Sequence, residues 1–329
     1  MHHEFGGKHF GTPNWPSYKG TSSLIGKSAS GQVTVYVDPM LGASGLQNAQ
    51  DLIADADRVA KANDAIFGST GGPVNVIIFA LGGNTDGTGG ADHMGCDYTT
   101  GADIEVCAAF GNANRVSALF EAELSECSMG GQLCGQSTGE ALSRWCAAVI
   151  GHNALADFAT APTWFNDGMQ DFVNQTDPTD QNADSTGCGM AFLSWLMSRG
   201  FGLEKIAPAM VALGDGGTFA QLYNNLTSTP PTQAWDAFQA AIQALPNGIA
   251  NDDPFGAMSV VSLSRLKQLD THAVALAGKI FASILADIAS GSAPEKVVQN
   301  VRTLMGGGTP GMGGACRMGS RRLLPPKAR

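Results

Sequence analysis

The run VNVIIFAL at residues 74–81 places the tightest limit on the fold. It is of strand length and almost wholly apolar, so it has no face to offer water. Such a strand belongs in the middle of a sheet covered on both sides. The flanking sequence supplies its neighbours. VTVYVD (33–38) alternates and is β-branched, which predicts a strand. LQNAQDLIADADRVAKANDAIFG (46–68) sets Leu52, Ile53, Ala56, Val59 and Ala60 at helical spacing, with Gly68 as its stop. HMGCDY (93–98) and DIEVCAAF (103–110) read as short strands either side of TTGA.

Helical spacing then takes over. A helix follows Asn112 or Asn114 as its cap, and further helices are expected over 139–151, 162–175, 188–201, 203–213, 218–226 and 235–245. The fold class is therefore α+β, a small N-terminal mixed β-sheet followed by a mainly helical region. The expected organisation is a flexible arm over 1–30, a main domain over 31–256, a helical extension over 257–303 and a basic tail over 304–329. DDPFG (252–256) reads as the break, and SAPE (292–295) as a capping box inside the extension. The tail is rich in Gly and Pro and is expected to be disordered.

Charge narrows the partners. The chain of 329 residues carries 29 Asp+Glu against 19 Lys+Arg. Nucleic-acid binding needs the opposite sign, clustered on one face, so that class is set aside. No apolar run reaches membrane-spanning length, and the opening MHHEFGGKHFGTPNWPSYKG holds no apolar export-signal core. Cys96, Cys107, Cys127, Cys134, Cys146 and Cys188 form an even block without metal-ligand spacing, which predicts disulfides and a secreted or periplasmic location. Fifteen pairings are open. Cys127 with Cys134, and Cys96 with Cys107, are two of them.

The segment 118-ALFEAELSECSMGG-131 is the chemical focus. Val116, Leu119, Phe120, Glu123, Leu124 and Cys127 share one helical face. Glu123 thus lies inside an apolar stripe, where a carboxylate is costly unless it is paired, protonated or bound. Glu126 is at the edge of that stripe. Glu121 is expected on the solvated side. Arg115 and Arg144 are the candidate partners in the core.

The order of elements, with carboxylates at i and i+3 on the helix after an edge strand, resembles the zincin metallopeptidases. So does 164-WFNDGMQDFV-173, which is similar to the W-x-N-E-G-x-x-D-F/Y segment of the gluzincin branch. The likeness spans roughly 33–245. It implies a zincin-like scaffold in which AELSE stands where the family has HExxH. Ala122 then occupies the first ligand position, Glu123 the general base, Glu126 the second ligand and Asp167 the third. The remnant is oxygen-only and poor for zinc, so no metal is expected there.

Three functions fit this pattern. The first is a metal-independent hydrolase that uses cleft carboxylates as glycosidases do, with Glu123 as the acid and Glu126 or Asp167 as base or nucleophile. It would act on a small-molecule or polysaccharide substrate, with Asp171, Asp92 and His93 lining the cleft. The second is a serine esterase or lactonase built on 135-GQSTG-139, with Ser137 as nucleophile, an acid such as Asp167, and His152 or His272. Ser137 or Thr138 as a plain helix cap is the bland counterpart. The third is a non-catalytic binding domain. No cofactor is required by any of them. Calcium enters only through Asp180, Asn182 and Asp184, spaced like the start of an EF-hand loop, or through Asp86, Asp92, His93 and Asp97 around the Gly-rich loop.

Overall fold

The computed structural model describes residues 13–258. Five strands form one mixed sheet in the order β1-β2-β3-β5-β4: β1 (Ser23–Lys27), β2 (Val33–Val37), β3 (Val74–Phe79), β4 (Ala91–Met94) and β5 (Ala102–Cys107). β2, β3 and β5 are parallel, and the two edge strands run antiparallel to their neighbours. The apolar run at 74–81 is indeed central, as β3. Its lone polar residue, Asn75, faces Asp103 across the β3–β5 register and donates to it at 2.8 Å.

Helix α1 (Gly42–Phe67) crosses from β2 to β3 and ends at Gly68, whose φ of 66° suits a residue without a side chain. Helix α2 (Ala113–Ser128) follows β5, capped by Asn112, whose side chain accepts from the Arg115 N–H. It packs against β5, α1, β4 and α3 (Ser137–Ile150). The chain continues through α4 (Ala161–Asn166), α5 (Ala183–Ser198), α6 (Leu203–Leu213), α7 (Phe219–Thr227) and α8 (Ala234–Gln243). An aromatic cluster of Trp164, Phe192, Trp195, Phe219 and Phe238 closes this half. The predicted break at 252–256 is tied back: Asp252 accepts from the Thr160 and Ala161 N–H groups, and Asp253 from Ser194 Oγ.

Three expectations need correction. Residues 13–30 are not a free arm. Trp15 is buried edge-on against Tyr36, β1 adds a strand, and the buried Glu105 carboxylate accepts from Ser17 N, Ser17 Oγ and Tyr18 N at 2.6–2.8 Å. The helix expected over 162–175 stops at Asn166, because Gly168 (φ 100°) and Met169 (φ 55°) turn the chain out of helical space. Of the six clustered cysteines only Cys96 and Cys134 pair, while Cys107, Cys127, Cys146 and Cys188 are buried thiols. No described helix is long and apolar enough to cross a membrane. Residues 1–12, the helical extension beyond Met258 and the basic tail lie outside the described residues.

Candidate acid–base site

Three elements converge on one end of α2. Edge strand β4 brings His93, α2 brings Glu123 and Glu126, and α3 brings Glu140, Ser143 and Arg144. Glu126 is the hub. Its Oε2 lies 3.2 Å from His93 Nε2, and its Oε1 accepts from Ser143 Oγ at 3.0 Å. Glu140 lies close enough to bear on the charge of Glu126, and Arg144 Nε donates to Glu140 Oε1 at 2.6 Å. His93, Glu123 and Glu126 each offer a ligand atom within 4.8 Å of the others.

The ring of His93 has a fixed orientation. Its Nδ1 lies 3.0 Å from the Gly95 carbonyl. A carbonyl only accepts, so Nδ1 carries the hydrogen and Nε2 is the nitrogen turned to the carboxylates. The Cys127 thiol sits behind the ring, 3.4 Å from Nδ1, and also donates to Gly95 O.

Environment sorts the carboxyls. Burial alone would raise Glu126, but the hydrogen bond and charge of His93, with Ser143 and Glu140, hold it below the usual range. Burial would lower His93, and its hydrogen bonds to Cys127 and Glu126 instead push it well up. Burial and then the neighbouring Glu126 charge raise Glu123 well above an ordinary glutamate. Glu140 is raised to about 8, by burial first and by Glu126, against the pull of Arg144. One carboxylate is thereby kept ionised beside carboxyls that keep their protons, which is the division an acid–base pair needs. Glu126 is buried and Glu123 is half-buried.

The remaining sequence-predicted residues fall as follows. Asp92 and His93 do act on Glu123. Asp167 and Asp171 are not among the groups that bear on it. Asp167 is exposed at the end of α4, near Asp184. Asp171 spends both oxygens on its own turn, accepting from Val173 N, Asn174 N and Asn174 Nδ2. Arg115 pairs with Asp157 and Arg144 with Glu140, so neither neutralises Glu123. Glu121 is not solvated: it is fully buried, and both its oxygens lack a partner.

Ser137 opens α3 directly from a loop, with no strand before it, and His152 lies beyond the far end of that helix. Fourteen residues of helix put them roughly 20 Å apart, so they form no nucleophile–base pair. His272 lies outside the described residues. Neither Ser137 nor Thr138 caps α3 either, since Gln136 holds the cap position without a side-chain bond. Asn182 and Asp180 serve their own turn: Asn182 Oδ1 accepts from Asp184 N and caps α5, and Asp180 Oδ1 accepts from Gln181 Nε2. Asp86 and Asp97 likewise accept from Thr88 and Thr99.

No protein-family model matches the chain, and no curated protein matches it. The zinc site that a zincin likeness implies does not fit these residues. Ala122 has no ligand atom, and Asp167 is not part of the cluster.

Glu140, Ser143 and the role of Cys127 escaped the sequence reading. A weak signal existed, because S-T-G-E at 137–140 has the spacing of a capping box and so sets Glu140 in the first turn of a helix. That the helix folds its first turn onto Glu126 is a long-range fact.

Proposed function

We propose that the protein is an exported hydrolase whose chemistry is proton transfer at Glu123, with no metal in the reaction. One observation carries this reading: the half-buried Glu123 carboxyl stands within 4.8 Å of a Glu126 whose two oxygens are held by His93 and Ser143. Glu123 donates its proton to the leaving oxygen of a bound substrate. Glu126, kept ionised, stabilises or captures the positive centre that forms. Glu123 then takes a proton from the incoming water.

The substrate class this reading takes is a small glycoside or a polysaccharide, whose hydrolysis runs on such a carboxyl pair. The Cys96–Cys134 disulfide supports an oxidising compartment, and the acidic balance supports a partner other than nucleic acid.

The test is a panel of chromogenic glycosides, esters and lactones plus casein, with and without EDTA. Turnover of one class is expected to survive EDTA. Glu123→Gln should lower kcat by about 100- to 10,000-fold, the usual weight of general acid–base catalysis, with KM little changed. Wild-type turnover by Glu123→Gln on every responsive substrate refutes the reading.

A further inference from the structure

We propose that His93, Glu123 and Glu126 also form a binding site for one transition-metal dication of the zinc type, drawn together from β4 and α2. This site differs from the helix-borne one that Ala122 rules out, because its nitrogen ligand comes from the edge strand.

The argument is geometric. Tetrahedral zinc with bonds of about 2.0–2.2 Å keeps its ligand atoms roughly 3.4 Å apart. His93 Nε2 and Glu126 Oε2 are already 3.2 Å apart, and Glu123 lies within 4.8 Å of both. Glu123 is half-buried and on a flexible side chain, so it can close the remaining gap. His93 and Glu126 have the outer support that metal ligands need. Gly95 O accepts from His93 Nδ1–H, which leaves Nε2 for the ion. Ser143 holds the other oxygen of Glu126, and Arg144 holds Glu140 behind it. The mixed imidazole and carboxylate set selects zinc, cobalt or nickel over calcium, which takes oxygen ligands in larger number.

An ion on these atoms removes the proton from Glu123 and shields Glu126, so it stops the proposed chemistry. That consequence rests on the acid–base reading; the binding itself does not.

The test uses the full chain with His2, His3 and His9 changed to Ala, because those terminal histidines could take up zinc themselves. Zinc chloride is titrated by calorimetry, and cobalt binding is followed by its visible absorption. One saturable ion per chain is expected, with weaker binding on acidification, since an imidazole ligand must be deprotonated. His93→Ala and Glu126→Gln should each weaken binding by more than the roughly 10- to 100-fold that loss of an outer-shell partner costs. Glu123→Gln, at a half-buried position, should weaken binding likewise, with the fold of each variant checked by circular dichroism. Cys127→Ser, which alters only an outer contact of His93, should weaken binding by no more than that roughly 10- to 100-fold.

Absence of saturable binding overturns the proposal. So does binding that all three ligand variants leave intact, or binding that Cys127→Ser abolishes. If zinc binds as expected but raises turnover, the metal site stands and the metal-free reading of the reaction falls.

Discussion

Glu105 in the sheet and Glu121 in helix α2 are both fully shielded from water, and the protein treats them in opposite ways. Glu105 receives three hydrogen bonds from Ser17 and Tyr18, so it works as a clasp that fastens the N-terminal segment to β5. Glu121 receives none. Burial raises its carboxyl well above the ordinary range, the nearby Asp64 adds to this, and only the charge of Arg58 pulls the other way. A buried carboxylate with donors fixes structure, and a buried carboxyl without them must keep its proton. The Glu123–Glu126 pair combines both states a turn further along the same helix.

That contrast can be broken by experiment. The largest effect is expected at Glu105. Glu105→Ala strands two backbone N–H groups and a hydroxyl, and should cost about 3–5 kcal/mol, read as a lower urea midpoint with early proteolysis between Asn14 and Thr21. A cost under about 1 kcal/mol would mean that the clasp is ornamental.

Glu121→Gln should do the reverse. An acid whose folded pKa is raised favours the native state at low pH, and this contribution fades as pH climbs from the unfolded value toward the folded one. The wild-type chain therefore loses stability across that window, and Glu121→Gln should remove the slope and gain about 1–2 kcal/mol at pH 8. Destabilisation there instead would reveal a partner for Glu121.

The smallest effect is expected at Asp55, which joins α1 to α2. Burial would raise its carboxyl, but bonds from Arg58 and Ser117 hold it below the usual range. A depressed acid contributes stability above its unfolded pKa and loses it as pH falls through the folded one. Asp55→Asn should cost less than about 1 kcal/mol at neutral pH and flatten the acid limb of the unfolding curve. An unchanged acid limb would assign acid sensitivity to other carboxylates.

The same residues explain what the sequence could reveal. Strands β2, β3 and β5 were legible because period and β-branching are local, whereas the apolar spacing set Glu123 deepest and it is the least buried of the three glutamates. Glu121 was misplaced because a helical wheel grants a helix one buried side, while α2 is enclosed by β5, β4, α1 and α3. The arm was misread because its order comes from Glu105, nearly ninety residues away. His93 reads in the sequence as the start of a short strand and as a cleft-lining residue, and the β4–β5 pairing carries it to Glu126. Asp167 resembled a ligand through its neighbours in sequence, and the turn at Gly168 and Met169 ends the helix that would have presented it.

The disulfide has a topological consequence. Cys96 and Cys134 enclose β5 and α2 in a covalent ring that also contains the exposed turn at Thr99 and Thr100. A single cut in that turn opens the ring without dividing the molecule. The piece with His93 and the piece with Glu126 stay joined by one sulfur–sulfur bond, so a nicked chain keeps both halves of its site and separates on a gel only after reduction.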